Sequence, residues 1–386
     1  MIKKNVIAAM ASASLALTAG QAAIAGTIKI GMIAPVSGGY AVVGSPMVQG
    51  AQMVVDQVNA SGGINGDMLE LVVRDSQVKP DVAVAAAREL ISSEGVALII
   101  GPATSGASLA VAEVAKTEKV VNISPSAKTD EITTDNPHPY IFQIASTGVA
   151  DGPRFGKILQ NEMGAKEVCF IAFDYAFGHV FVAETSKNLS ADQKVGDVYY
   201  VPLGTTDFNT SISQLMGSKC DTVATMLFGG GLIAFVKQAG PFGLFSAKKT
   251  IMGGNAGDYA IAAALKGELP EGIWAQANDL WYYNGSQAHT DYIAALAKVQ
   301  GKEHTDMWPI SGYYAMTFAV EALKKAGSTD SDAISKALEG LTIATPLGDL
   351  TMGAQSHRAS APEFYGATVA VEGSDIKQLA NPMIVR

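Results

Sequence analysis

The sequence predicts an α/β protein built as two doubly wound α/β lobes. Three observations carry that expectation. Short apolar runs alternate with stretches of helical spacing along most of the chain. The alternation is interrupted once, around Asp130 to Pro139, and then restarts. And the 386 residues exceed what one hydrophobic core normally holds. Strands that are apolar throughout, each followed by a helix, call for parallel sheets covered on both faces.

The elements follow in order. Thr27 to Ile33 reads as an apolar strand. Ser45 to Asn59 has helical spacing, with Val48, Ala51, Gln52, Val55 and Val58 on one face and Ser45-Pro46 as cap and first-turn proline. Leu69 to Arg74 is a strand, Asp81 to Ser92 a helix, Val96 to Ile100 a strand stopped by Gly101-Pro102, Ser105 to Ala115 a helix and Val120 to Ile123 a strand. Tyr140 to Ile144 is a short strand and crossover. The second series runs from a helix over Gly148 to Met163 through strands Val168 to Phe173, Asp197 to Val201, Thr222 to Leu227, Thr250 to Met252 and Gly272 to Gln276. Helices over Phe177 to Leu189, Phe208 to Met216, Leu232 to Ala239 and, after Asn255, through Leu265 separate them. Helices over Ala288 to Val299, Ile310 to Lys325 and Asp332 to Gly340 and a strand over Tyr365 to Val371 complete the chain. Which lobe this last quarter joins is open.

Met1 to Ala25 has the order of a secretory leader: Lys3 and Lys4, an uncharged run from Val6 to Leu17, and an Ala23-Ile24-Ala25 cleavage pattern before Gly26. The run is shorter than the roughly 20 residues a bilayer span needs, so the remaining chain is expected in a periplasm, without membrane insertion. The net charge of -9 becomes -11 once the two lysines are removed, a balance that disfavours nucleic acid as a partner. Cys169 and Cys220 precede or open neighbouring strands; in an oxidising compartment they form either a bridge or two buried thiols.

Catalytic and metal signatures are missing. The five histidines are scattered, no G-x-S-x-G or P-loop occurs, and no base, nucleophile or metal set gathers at one place. Gly229-Gly230-Gly231-Leu232-Ile233-Ala234 fits a dinucleotide fingerprint, but no acidic residue follows at the end of the next strand. The alternative for these glycines is a close backbone approach. No enzyme activity, cofactor or metal is expected.

Ligands of open parallel sheets sit beyond the carboxyl ends of the strands. The loops there are small, polar and aromatic. Pro35 to Tyr40 follows the first strand. Thr104 and Ser105 stand at a helix N-terminus, where free amides favour an anion. Ser126 and Lys128 follow the next strand. These suit a carboxylate, although Thr104, Ser105 and Ser126 could each serve only as caps and Lys128 as a solvated cation. Phe177, Phe228 and Asn255 come from the second series; the aromatics suit an apolar ligand body or pack the core.

The ordered set Ile28-Lys29-Ile30-Gly31, Ser37-Gly38, Gly50-Ala51, Asn59 with Gly62-Gly63-Ile64-Asn65-Gly66, Leu69 to Asp75, Gly101 to Ser105 and Asp174 to Gly178 resembles the periplasmic leucine/isoleucine/valine-binding proteins, type I solute-binding proteins of ABC transporters. The resemblance covers the chain after the leader. It implies the type I periplasmic binding protein fold: two lobes joined by a three-segment hinge, here residues 26–142 with about 279–350, and 143–278 with about 351–386. It implies a monomer that captures a small solute between its lobes and delivers it to an inner-membrane permease. In the family, the serine matching Ser105 and the backbone at Ser126 hold a ligand carboxylate. Thr147 falls in a crossover that contacts ligand. Lys128 stands where amino-acid binders have Thr, and Phe177 and Phe228 where they have Tyr. Asn255 stands where they carry Glu to pair with an α-ammonium. With Lys128 adding positive charge and Tyr40, Phe177, Phe228 and Trp281 around the site, the ligand expected is an aromatic or bulky apolar acid without an ammonium; such ligands occur among relatives. The alternatives are a branched-chain or other amino acid, or a sensing role for the same fold.

Overall fold

The structure, a computed structural model, describes residues 26–135 and 137–385; the leader read at Met1 to Ala25 lies outside them. The chain begins β1 (Thr27–Ala34), α1 (Ala41–Ala60), β2 (Met68–Asp75), α2 (Pro80–Glu89), β3 (Leu98–Ile100), α3 (Ser105–Glu118), β4 (Asn122–Ser124), a short α4 (Glu131–Thr134) and β5 (Ile141–Ile144). It crosses into a second series: α5 (Gly148–Lys157), β6 (Glu167–Phe173), α6 (Ala176–Lys187), β7 (Lys194–Val201), α7 (Asn209–Gly217), β8 (Thr222–Met226), α8 (Gly229–Ala239), α9 (Leu244–Ala247), β9 (Lys249–Met252), α10 (Tyr259–Leu265) and β10 (Trp274–Ala277). It then returns as α11 (Gln287–Gln300), α12 (Pro309–Ala326), α13 (Ser331–Leu338), the small ladder β11 (Thr342–Ile343) and β12 (Leu350–Thr351), and β13 (Arg358–Ala359). A third crossing leads to β14 (Glu363–Val371) and β15 (Ser374–Val385).

Two sheets result. The first has the order β13-β5-β4-β3-β1-β2 and is parallel throughout. The second has the order β15-β14-β10-β9-β8-β6-β7, parallel except for the β14 and β15 pairings. The strands at their centres, such as Leu98–Ile100 and Cys169–Phe173, are fully buried, because helices cover both faces. In the first sheet the strand order reverses between β1 and β3, and in the second between β6 and β8. At such switch points adjacent loops diverge and leave a crevice.

The chain changes sheet after Ile144, slightly beyond the boundary expected at 142. It leaves the first sheet for the last time after Ala359, not near 350, because Arg358 and Ala359 pair in parallel with Gln143 and Ile144. The helices of the last quarter belong to the first lobe, where α12 packs on α1 and over β3, β4 and β5. Helix α1 starts earlier than Ser45-Pro46 suggested: a tight turn over Gly38–Tyr40 leads straight into Ala41, and Pro46 lies inside the helix, forgoing one backbone hydrogen bond. At the triple glycine, a Cβ on Gly231 would lie 2.5 Å from the Phe173 ring, so close approach accounts for it.

Cys169 and Cys220 form a disulfide that ties β6 to the second residue before β8, 51 positions apart in sequence. A Cys169→Ala/Cys220→Ala double variant is expected to lose about 2–4 kcal/mol of unfolding free energy, because the unfolded chain regains the freedom of that loop. Urea denaturation measures this; a loss below about 1 kcal/mol counts against a stabilising bridge.

Candidate functional site

A cleft opens between the lobes at the carboxyl ends of both sheets. From the first lobe, the loop after β1 brings Pro35 and Tyr40, the loop after β3 brings Thr104 and Ser105, and the loop after β4 brings Ser126 and Lys128. From the second lobe, Tyr175 and Phe177 follow β6, Phe228 follows β8 and Asn255 follows β9. The crossings add Ala145 and Ser146, Gln276 and Asn278, and Pro362 and Glu363, and the N-terminus of α12 adds Trp308 and Ser311.

Thr104 precedes α3 but its side chain does not cap the helix, so the first-turn amides beside Ser105 are left for another acceptor. The helix dipole adds to the pull on an anion there. The Ser126 hydroxyl donates to the Ala103 carbonyl at 3.2 Å, tying the two loops together. Across the cleft, Tyr40 of one lobe approaches Phe228 of the other, with ring centroids 6.2 Å apart. Phe228 also meets Tyr175 at 6.0 Å and Phe173 at 5.1 Å. Burial raises the phenol pKa of Tyr40 and Tyr175 above the ordinary value, keeping both neutral. The wall is therefore aromatic and uncharged.

Asn255 is set by backbone geometry. Gly254 and Asn255 both take positive φ, 60° and 68°, and a Cβ at Gly254 would lie 1.9 Å from the Leu227 carbonyl oxygen. Only glycine fits that turn, and asparagine tolerates the next position better than most residues. Asn255 N–H donates to Gln276 Oε1 at 3.0 Å, and Gln276 Nε2 donates to Asn278 Oδ1 at 3.0 Å.

Lys128 corrects an expectation. It reaches the cleft, but its ammonium pairs with Asp151 at 3.0 Å and with Glu363 at 2.5 Å. Arg154 pairs with the same two carboxylates at 3.2 and 3.3 Å. The four formal charges cancel, so Lys128 brings no net positive charge to the site. Burial pulls the Lys128 pKa down, but the two carboxylates outweigh it and hold the ammonium above its ordinary value. Burial pushes Asp151 up, and the charges of Lys128 and Arg154 bring it below the usual carboxylate range. For Glu363, burial and the charge of Asp151 prevail, and its pKa is raised.

Of the residues singled out in the sequence, Tyr40, Thr104, Ser105, Ser126, Lys128, Phe177, Phe228 and Asn255 line the cleft. Thr147 does not: it is buried, and its hydroxyl donates to Asp130 Oδ1 at 2.6 Å while Asp130 also pairs with Arg358. The first crossing meets the cleft through Ile144 to Ser146 instead. Trp281 does not line it either: its ring stands edge-on to His304 at 3.9 Å and to Tyr282 at 5.3 Å. Trp308 takes the place expected of it, delivered by the start of α12. Sequence reading missed Tyr175, Gln276, Asn278, Trp308, Ser311 and Glu363. Tyr175 shares a loop with Phe177, and Gln276 and Asn278 are polar residues at the carboxyl end of an apolar strand, the signal that could have found them.

Among the described residues no group of three or more His, Cys, Asp or Glu is placed to hold a metal, and no helix is long and apolar enough to cross a membrane. A family model described as periplasmic binding protein matches residues 27–374. A leucine-, isoleucine-, valine-, threonine-, and alanine-binding protein of Pseudomonas aeruginosa is 30% identical, with 84% of this chain and 86% of that protein covered. A solute-binding protein of an ABC transporter from Rhodopseudomonas palustris BisB5, solved with 3,4-dihydroxy benzoic acid, superposes with a TM-score of 0.82 at 24% identity, covering 92% of this chain and 97% of that one. A branched-chain amino acid transporter substrate-binding protein from Streptococcus pneumoniae, solved with isoleucine, gives 0.80 at 21% identity, covering 92% and 99%. These two structures share the fold.

Proposed function

The chain belongs to the periplasmic binding protein family, and from that premise we propose that it captures a small carboxylate without an ammonium, an aromatic or bulky apolar acid, for an ABC permease. Its work is solute binding for transport, not catalysis. The two lobes close on the ligand, which shifts the population toward the closed form by as much as it prefers that form. A periplasmic location, reached through the leader at Met1 to Ala25, and action as a monomer belong to the same proposal.

One observation carries the choice of ligand. Among the described residues Glu363 is the only acidic one lining the cleft, and it is already held by Lys128, Arg154 and the Tyr365 hydroxyl. An α-ammonium buried there would lack an unengaged carboxylate, which is strongly penalised. The amides at the start of α3 suit the carboxylate, and Tyr40, Tyr175, Phe228 and Trp308 suit a ring between the lobes. The name of the Pseudomonas relative favours the second reading, a branched-chain amino acid.

A thermal-shift series separates the two. At a hundredfold excess over Kd, a ligand adds about 2.7 kcal/mol of stability. Benzoate-type acids are expected to raise Tm by several degrees and leucine to leave it unchanged. A shift with leucine and none with aromatic acids refutes the proposal.

A further inference from the structure

Two buried carboxylates meet where the lobes touch. Asp258 lies between β9 and α10 of the second lobe, and Asp306 between α11 and α12 of the first. The residues are 2% and 7% exposed. Asp258 Oδ1 accepts from Met307 N–H at 3.2 Å, so its carboxylate is turned toward the other lobe. Asp306 is paired with Lys302 at 3.1 Å and accepts from Gln300 at 3.4 Å. Asp258 is met by the backbone amides of Met307, Tyr259 and Ala260. The charged groups on the elements around it are turned elsewhere. His304 stacks on Tyr259 at 5.3 Å, and Asp279 of the second crossing pairs with His289 at 2.6 Å. Of the two elements packed on α10, α8 has Lys237 paired with Glu268 at 3.6 Å, and β15 has Lys377 paired with Glu271 at 2.8 Å. Lys266, Glu303 and Asp375 are exposed.

Lys128 and Arg154 cancel Asp151 and Glu363, but here two carboxylates share one ammonium. Two like charges kept from water ionise together only at a cost, so one proton is favoured on the pair. Burial and then the charge of Asp306 push the Asp258 pKa up to about 7, which places that proton on Asp258. Both the like charge and the Met307 amide come from the opposite lobe. The lobes are together in this structure, with Tyr40 against Phe228. Parting them removes Asp306 from Asp258 and readmits water, and the Asp258 carboxyl then returns toward the ordinary carboxylate range and gives up its proton.

We propose that the Asp258–Asp306 contact makes lobe closure proton-linked, one proton from water being taken up by Asp258 as the lobes close, so that cargo is held more tightly in acidic than in neutral surroundings; this rests on the reading of the chain as a solute-binding protein that closes on its ligand. The test is calorimetric titration with benzoate and with leucine, whose own charge hardly changes between pH 5.5 and 8. Titrations at pH 6 in two buffers of different ionisation enthalpy count the protons. For whichever probe binds, uptake of about one proton per bound molecule is expected at pH 6 and almost none at pH 8.5. Affinity is expected to fall at least about tenfold from pH 5.5 to pH 8 and to change by less than about threefold in Asp258→Asn, which lacks the titrating group. Binding without proton uptake at pH 6 overturns the linkage and leaves solute capture standing. That count needs no variant. Uptake that persists unchanged in Asp258→Asn belongs to another group and overturns the role of Asp258. Binding of neither probe overturns this inference together with the reading beneath it.

Discussion

Arg154→Met is expected to lower the unfolding free energy by about 3–5 kcal/mol. Arg154 and Asp151, one turn apart on α5, meet Lys128 and Glu363 from two other segments beside the crossings, with Arg154 and both carboxylates nearly sealed from water. Ser146 donates to Asp151 and Tyr365 donates to Glu363 at 2.7 Å, so the carboxylates are satisfied as well as paired. Methionine fills much of the arginine volume but leaves two buried carboxylates facing one ammonium. An uncompensated buried charge, rather than the lost bond, sets the size of the effect. Urea denaturation at neutral pH is the measurement. Adding Glu363→Gln restores formal balance, so the double variant is expected to be more stable than the sum of the single losses. Strict additivity would mean that the two side chains do not interact.

Asp258→Asn is expected to stabilise the protein at pH 8 and to do almost nothing below pH 4. Asp258 is buried where the second lobe meets the first: its carboxylate accepts from Met307 N–H at 3.2 Å, across from Asp306. Burial and then the charge of Asp306 push its pKa up to about 7, against amides at the start of α10 that pull it down. Asp306 itself is held by Lys302 at 3.1 Å, and the neighbouring His304 ring stacks on Tyr259 at 5.3 Å. Because the folded pKa lies above the unfolded value, the folded state binds the extra proton between about pH 4 and 7. Stability from this group is complete below that window and lost as pH rises through it. The amide keeps an acceptor for Met307 N–H and removes the charge. The gain at pH 8 is at most about 4 kcal/mol. The difference between the two proteins across pH isolates this group from others; a constant difference would show that Asp258 does not titrate there.

Much of the fold was legible because its strands are buried on both faces. Runs such as Leu98–Ile100 and Cys169–Phe173 then read as continuous apolar segments, and Gly101-Pro102 after the first and Asp174 after the second mark their ends where the cleft lies. β15 escaped for the opposite reason. It is an edge strand, mostly half-buried and interrupted by Pro382, with irregular pairing to β14, so no alternation survives. Most of the site was legible from loop position alone. Lys128 shows the limit: its charge is visible in sequence, but its counter-charges lie 23 and 235 residues away, and only folding brings them together. Thr147 and Trp281 fell near the right crossings but were claimed by local partners, Asp130 and His304.

The third crossing makes the two lobes hostages to the same short stretch of chain. Residues after the small ladder supply the outermost strand of the first sheet, then Glu363 for the ion cluster, then the two antiparallel strands of the second sheet. Neither lobe is a continuous length of chain, and β13 closes a contact with β5 across more than half of the sequence. Contacts of such separation slow folding more than they weaken the finished structure. A chain cut short before Arg358 lacks strands in both sheets at once, so completion of either lobe waits on the same late residues.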